Sequence, residues 1–329
     1  MNSINKEIFK KHEVRKTKKQ KYAFRRFLSD RLETLGYKAR VEKGAFGSKN
    51  LIVGDPEGAQ VIFTAHYDTC PVLPLPNFIT PKSIPIYILY QLILTALILI
   101  PTILLGILMI FIGAIATLSA PDSAVPEIVS RLVPIVIYLG FFGTLVLMMF
   151  GPANKHTAND NTSGVTTLVD IMENMPIEYR DKVAFIFFDN EELGLIGSSS
   201  YAKAHPSVMR EKLLINFDCV SDGDNMLFAL RPGAREYSEL LKSAYPSTDT
   251  ICADVCKEGV FYPSDQHVFK RGVGVAALNR SSFLKVLYLS RIHTRRDTVY
   301  KEENISYLTA GSLRLVAKLC AKGTDEVSS

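Results

Sequence analysis

Two stretches of this chain lack the alternation of apolar and polar positions that marks an element of a soluble core. Residues 84–118 are 35 positions without Asp, Glu, Lys, Arg or His, and residues 132–150 are a second such run of 19. At about 1.5 Å per residue, the shorter run spans about 28 Å, the thickness of a bilayer's hydrocarbon core. Together they predict two membrane-crossing helices joined by residues 119–131, a polar linker containing Pro121, Asp122, Pro126 and Glu127. Two crossings return the chain to the side it left. Residues 1–83 and 151–329 then form one discontinuous domain, with 84–150 as an inserted transmembrane hairpin.

The remaining roughly 260 residues are the size of a single α/β domain. Residues 17–36 carry apolar positions at Tyr22, Phe24, Phe27, Leu28, Leu32 and Leu35 and stop at Gly36, which predicts an amphipathic helix. Its basic face could touch anionic lipid or simply be solvated. Residues 61–65 (VIFTA), 182–189 (KVAFIFFD), 213–217 (LLINF) and 273–278 (VGVAAL) are short apolar runs of the buried-strand type. Residues 164–174 and 304–318 read as helices. Strands alternating with helices predict an α/β fold with a mixed, mostly parallel central sheet covered on both faces.

Charge changes the picture locally rather than globally. The chain has 38 Lys+Arg against 33 Asp+Glu, a net charge of +5, and its excess sits in residues 1–26. This balance gives no argument for a nucleic-acid partner. The basic N-terminal stretch has no apolar run directly behind it and is not expected to be a secretory signal. The five cysteines (Cys70, Cys219, Cys252, Cys256, Cys320) are an odd number and no disulfide framework. Cys252 and Cys256 are spaced to share one face of a helix. The linker between the crossings carries Arg131 alone, while Lys82, Lys155 and the basic N-terminus flank the hairpin. The positive-inside rule therefore predicts a two-crossing cell-membrane protein with its catalytic domain in the cytoplasm.

The candidate chemistry lies where the strand runs end. VIFTA is followed by His66-Tyr67-Asp68, KVAFIFFD by Asn190-Glu191-Glu192, and LLINF by Asp218; Asp160 precedes the helix at 164, and His293 follows the apolar stretch at 286–289. In an open α/β sheet ligands bind at the carboxyl ends of the strands, so residues far apart in sequence can converge there. Two histidines and several carboxylates suit zinc. Two ions sharing one carboxylate need about five protein ligands, and a further carboxylate could serve as base. The pair Glu191-Glu192 fits that division, one ligating and one free. Asp68, two residues after His66, could accept the second imidazole N–H.

The ordered series His66-x-Asp68, Asp160-Asn161-x-Ser163-Gly164, Glu191-Glu192-x-Gly194, Asp218 and His293-Thr294-x-x-Asp297-Thr298 resembles the co-catalytic zinc aminopeptidases of clan MH, which include bacterial leucyl aminopeptidases, with glutamate carboxypeptidase and glutaminyl cyclase as relatives. The likeness covers about residues 17–83 and 151–320, and Ser264-Asp265 with Phe269 resembles a segment near that family's substrate pocket. The resemblance implies two zinc ions per chain held by His66, Asp160, Glu192, Asp218 and His293. Asp160 would be the bridge, Glu191 the general base and Asp68 the orienting acid. Tyr262 and His267 are substrate-binding candidates. The family pattern has a short loop where this chain has the hairpin.

The favoured function is thus a membrane-anchored di-zinc exopeptidase, an aminopeptidase acting on peptides. The alternatives are a carboxypeptidase or amidohydrolase on the same site, and a non-catalytic membrane scaffold with a peptidase-like domain. The expected partners are a peptide substrate and the lipid bilayer. The hairpin leaves shortly after Asp68 and returns ten residues before Asp160. It is either an anchor alone or a guide for apolar peptides, with the proline-stiffened segment Cys70-Pro71-Val72-Leu73-Pro74-Leu75-Pro76 as one wall of the pocket.

Overall fold

The computed structural model describes residues 1–73, 75, 77–120, 124–289 and 291–327, with side chains described to residue 321. The chain opens with helices α1 (Ser3–His12) and α2 (Lys18–Thr34). Thr17 caps α2, with its side chain on the Gln20 N–H and the Gln20 side chain returning to the Thr17 N–H. Strands β1 (Ala39–Lys43), β2 (Lys49–Val53) and β3 (Val61–His66) follow, then two long helices, α3 (Ile84–Ser119) and α4 (Val125–Phe150). Next come α5 (Gly164–Asn174), β4 (Val183–Phe188), α6 (Ile196–Ala204), α7 (Pro206–Glu211), β5 (Leu213–Phe217) and β6 (Asn225–Leu230). The chain closes with α8 (Ser238–Ala244), β7 (Cys252–Cys256), β8 (Gly272–Arg280), β9 (Leu287–Tyr288) and α9 (Glu302–Val327).

Among the described residues, nine strands join one mixed sheet in the order β1-β2-β4-β3-β5-β8-β6-β7, with β9 on β8. The central strands β4, β3, β5 and β8 are parallel, while β1, β2, β6 and β9 pair antiparallel around them. The central runs are apolar throughout because both faces are covered. In β4, Val183, Phe185 and Phe187 pack into the core shared with α1, α2, α5, α8 and α9; Ala184, Ile186 and Phe188 pack toward α6 and α7. Cys252 and Cys256 lie on a strand, not a helix. A four-residue spacing returns to one face in either element, and pairing with β6 decides between them.

Helices α3 and α4 stand apart from this core and pack antiparallel on each other. Gly106 faces Val133 and Ile137, Gly113 faces Val129, and Gly140 faces Thr102. Both helices are long and apolar enough to cross a membrane, and only 6% and 0% of their most apolar windows are buried. They are therefore not the core hairpin of a soluble domain. Helix α4 begins at Val125, so the latter part of the expected linker, including Pro126, Glu127 and Arg131, is helical. Proline in a first helical turn costs no hydrogen bond. Pro121 and Asp122 of the linker lie outside the described residues.

Candidate metal centre at the carboxyl ends of the strands

The three adjacent parallel strands β4, β3 and β5 end at one edge of the sheet. His66 closes β3, Asp218 follows β5, and Asn190-Glu191-Glu192 follow β4. The cluster they build is divided by Asp160. Its Oδ1 lies 3.3 Å from His66 Nε2, which is also 3.4 Å from Asp218 Oδ1. Its Oδ2 lies 2.9 Å from His293 Nε2, which is 3.3 Å from Glu192 Oε2. The donor atoms of His66, Asp160 and Asp218 all lie within 4.8 Å of one another, as do those of Asp160, Glu192, His293 and Cys70, and of His66, Glu191 and Glu192. Every residue named for the metal and base roles is brought into this one cluster.

The loop carrying Asp160 is wired to its surroundings. Asp297 accepts the N–H of Asn159 at 2.7 Å and of Asp160 at 3.0 Å. Asn159 Oδ1 accepts the N–H groups of Ser221 and Asp222, and Asn161 Oδ1 accepts those of Gly164 and Cys219. A Cβ at Gly164 would press into the Phe217 carbonyl, so the motif needs glycine there. The Asp160–Asn161 peptide is cis. Asn190, next to Glu191, Cys219, next to Asp218, and His293 itself take positive φ of 57–60°, a cost that non-glycine residues carry where a site over-determines the backbone.

Asp68 stands beside His66, as expected, and its carboxylate also holds two backbone N–H groups. His66 Nδ1 is 3.2 Å from the Asp68 backbone carbonyl and 3.6 Å from its carboxylate. That carboxylate accepts the N–H of Glu191 at 3.0 Å and of Glu192 at 3.3 Å. It therefore sets the position of both glutamates.

Crowded acids make the cluster electrostatically unfinished. Burial, reinforced by Glu192 and Asp218 against the pull of His66, raises the Glu191 carboxyl well above the carboxylate range. Burial raises Glu192 to about 8, with Asp160 adding to the rise and His293 opposing it. Burial would lower His293, but Glu192 and Asp160 raise it to about 9. Glu192 Oε1 is buried with no hydrogen-bond partner among the described residues. Several carboxylates are buried together here against two imidazoles, and a cation is what such a cluster accepts. Two imidazoles with carboxylate oxygens fit zinc, and the divided Asp160 fits a shared ligand.

Of the two substrate-binding candidates, Tyr262 abuts the cluster and His267 lies on a separate cavity. The Tyr262 hydroxyl donates to the Asp218 carbonyl at 3.0 Å. It also borders a cavity of about 410 Å3 lined by His267, Arg231 and Arg235, which no residue of the metal cluster lines. A second cavity, of about 330 Å3, opens directly on Glu192 and His293. Pro71, Leu73 and Leu75 of the expected wall line it; Pro74 and Pro76 lie outside the described residues.

Several site residues had no role assigned from sequence. Asp297 could have been found, because it belongs to the His293-Thr294-x-x-Asp297 spacing. Asp265 is fully buried beside the cluster, and burial raises it to about 7. Arg15 is fully buried and donates to the carbonyls of Tyr67, His12 and Glu13 and to Thr162. Lys21 pairs with Asp189 at 2.6 Å, and Arg25 donates to the Tyr67 hydroxyl. These three cations of the basic N-terminal stretch thus face the enzyme rather than lipid or solvent.

A mixed sheet carrying a histidine–carboxylate cluster at the carboxyl ends of its parallel strands is the arrangement of a metal-dependent enzyme. The sequence model of peptidase family M28 matches residues 144–318, more than half the chain, and the chain belongs to that family. It is a zinc-dependent metallopeptidase by class. Its fold is similar to that of the LapA aminopeptidase of Legionella pneumophila (TM-score 0.56, 13% identity, 96% of this chain and 68% of that chain). LapB of the same organism is also similar (TM-score 0.54, 12% identity, 96% and 70%). So is Bacteroides thetaiotaomicron glutaminyl cyclase, solved with N-acetylhistamine bound (TM-score 0.53, 14% identity, 95% and 94%). No curated protein sequence matches the chain. Aminopeptidases and a cyclase share this fold, so the reaction has to be argued from the site.

Proposed function

We propose that this chain is a membrane-anchored di-zinc exopeptidase, an aminopeptidase, whose active site faces the cytoplasm. The observation that carries the two-ion assignment is the division of Asp160, one oxygen beside His66 and Asp218 and the other beside His293 and Glu192. His66, Asp160 and Asp218 would hold one ion; Asp160, Glu192 and His293 would hold the other. The chemistry that bound zinc supplies is polarisation of the scissile carbonyl and acidification of water.

The protein's own groups do the rest. Glu191 reaches the cluster without belonging to either side of Asp160, and its raised affinity for a proton suits a carrier. It takes a proton from the attacking water and returns it to the leaving amine. Asp68 fixes Glu191 and Glu192 through their backbone N–H groups, so base and ligand keep one spacing. Asp297 fixes Asp160 in the same way.

Residues 84–150 form the anchor, and residues 1–83 with 151–329 form the peptidase domain. The exposed apolar faces of α3 and α4 support this division. Lys16 donates to the Met149 carbonyl, Lys82 pairs with Asp254, and Lys155 and Arg295 line a cavity beside Pro152. Basic residues therefore gather at the enzyme end of the hairpin, which supports a cytoplasmic domain.

The test is Glu191→Gln in protein purified in lipid nanodiscs. It should retain two zinc ions per chain by elemental analysis and lose two to four orders of magnitude in turnover of aminoacyl anilides. N-blocked peptides should resist the parent enzyme. Near-normal turnover by Glu191→Gln, or cleavage of N-blocked peptides only, overturns the assignment.

A further inference from the structure

The hairpin contributes more than an anchor to the molecule. The cavity that opens on Glu192 and His293 is also lined by α3. Tyr87, Gln91, Leu94 and Ile98 line it at the three- and four-residue spacing of a single helix face, and Met148 and Met149 of α4 complete that wall. The hairpin side is mostly apolar, with Tyr87 and Gln91 its polar members, while Glu192 and His293 are the metal-cluster residues of the lining.

The depth of this wall can be read from the hairpin itself. The uncharged run of α4 ends at Phe150, and the Lys16 ammonium, 3.1 Å from the Met149 carbonyl, marks the polar edge there. At the opposite end, the Arg131–Glu127 ion pair (2.6 Å) marks the other edge. The glycine contacts between the helices place Phe150 level with about Leu92. Ile98 then stands about 9 Å further along the axis, inside the hydrocarbon level. The turn between β8 and β9 carries an exposed apolar tip. Phe283 is 90% exposed between β8 and β9, flanked by Arg280 and Lys285. The Tyr288 ring of that hairpin packs on Phe78, which packs on Tyr90 of α3.

We propose that this cavity is the substrate side-chain pocket, and that its occupant is the apolar terminal residue of a peptide entering from the bilayer interface. The inference rests on the exopeptidase reading and names its substrate class. Here the specificity-determining side chains are Leu94, Ile98 and Met148 of the membrane hairpin. A pocket with metal ligands at its floor and hydrocarbon-level side chains at its rim favours leucine, methionine or phenylalanine over alanine. It also favours chains that partition into the interface over equally apolar chains that do not.

The experiment uses the zinc-loaded, full-length protein in nanodiscs. Ile98→Trp, which fills the pocket, should lower the Leu:Ala ratio of kcat/KM on aminoacyl anilides about tenfold, the scale of one misfit in an apolar pocket. Met148→Ala, which enlarges it, should raise the Phe:Leu ratio. Leu108→Ala, on the exposed face of α3 away from the cavity, should leave both ratios as in the parent. A second readout avoids turnover. In a Glu191→Gln background, anisotropy of a C-terminally labelled leucine-rich peptide should show about tenfold weaker binding after Ile98→Trp. Ratios and binding that stay within twofold of the parent in both pocket variants overturn the proposal, whether the cavity then holds lipid or nothing. If the parent cleaves no aminoacyl anilide, the aminopeptidase reading fails, and the binding comparison alone decides the pocket.

Discussion

Replacing Asp68 by asparagine separates two roles for this carboxylate. It lies 3.6 Å from His66 Nδ1 but accepts the Glu191 and Glu192 N–H groups at 3.0 and 3.3 Å. The amide keeps one oxygen and turns an NH2 group toward the second donor. One charge-assisted hydrogen bond is lost, worth about 1.5–3 kcal/mol. If that loss falls on the placement of Glu191, it corresponds to roughly a 10- to 150-fold drop in kcat. Glu192 hangs from the same carboxylate, so the ion on the His293 side should also be held less tightly, while the His66 side keeps its ion. The assay is kcat on an aminoacyl anilide in nanodiscs, with zinc counted at fixed free zinc and melting used to confirm the fold. His66→Ala and His293→Ala serve as references for which ion is lost. A kcat within threefold of the parent refutes the positioning role. Loss of the His66-side ion alone would show instead that Asp68 acts on the imidazole.

The metal-free protein should melt at progressively lower temperature as pH rises from about 4 to about 9. Burial raises Asp265 to about 7 and Glu192 and Asp297 to about 8, and Glu192 with Asp160 raises His293 to about 9 despite its burial. Each group binds more protons folded than unfolded across part of that window, so stability falls with pH; zinc should flatten the curve, and a metal-free melting temperature that rises between pH 5 and 8 contradicts the scheme. For topology, a cysteine at Ser119 should react with an impermeant thiol reagent on intact cells and one at Lys155 should not; the reverse pattern places the enzyme on the other side.

What was legible in the sequence is what depends on neighbours along the chain. The strands β3, β4, β5 and β8 are apolar because both their faces are covered, so they announce themselves and fix where His66, Glu191 and Asp218 emerge. The marginal strands do not. β1 reads ARVEK with its side chains half out, and β7 reads CADVC, a pattern that suits a helix face equally well. The same division runs through the site. Ligand identity follows from a motif at a strand end, whereas the partner of a charge is set across the fold. Arg15, Lys21 and Arg25 are indistinguishable in sequence from their solvated neighbours in a lysine-rich run; only the arrival of Tyr67 and Asp189 from other elements buries them.

The hairpin joins both kinds of information. Its length and composition are local, and they declare two apolar helices without reference to anything else. Its relation to the catalytic cluster is not local. The sequence places the two junctions close to Asp68 and Asp160, which constrains the base of the hairpin and leaves its orientation open. The contacts that settle orientation come from separate segments: Phe78 against Tyr90, Phe261 against Tyr87, Lys16 on the last turn of α4, and the Leu73 N–H on the His293 carbonyl. The last of these ties the pocket wall to a metal-site residue directly. On the proposed reading, tilting α3 would move Leu94 and Ile98 relative to this fixed wall, so membrane thickness and substrate selection would act on the same structural element. Lipid composition should then alter the Leu:Ala preference of this enzyme more than it alters the cleavage of alanyl substrates, which need little of the wall.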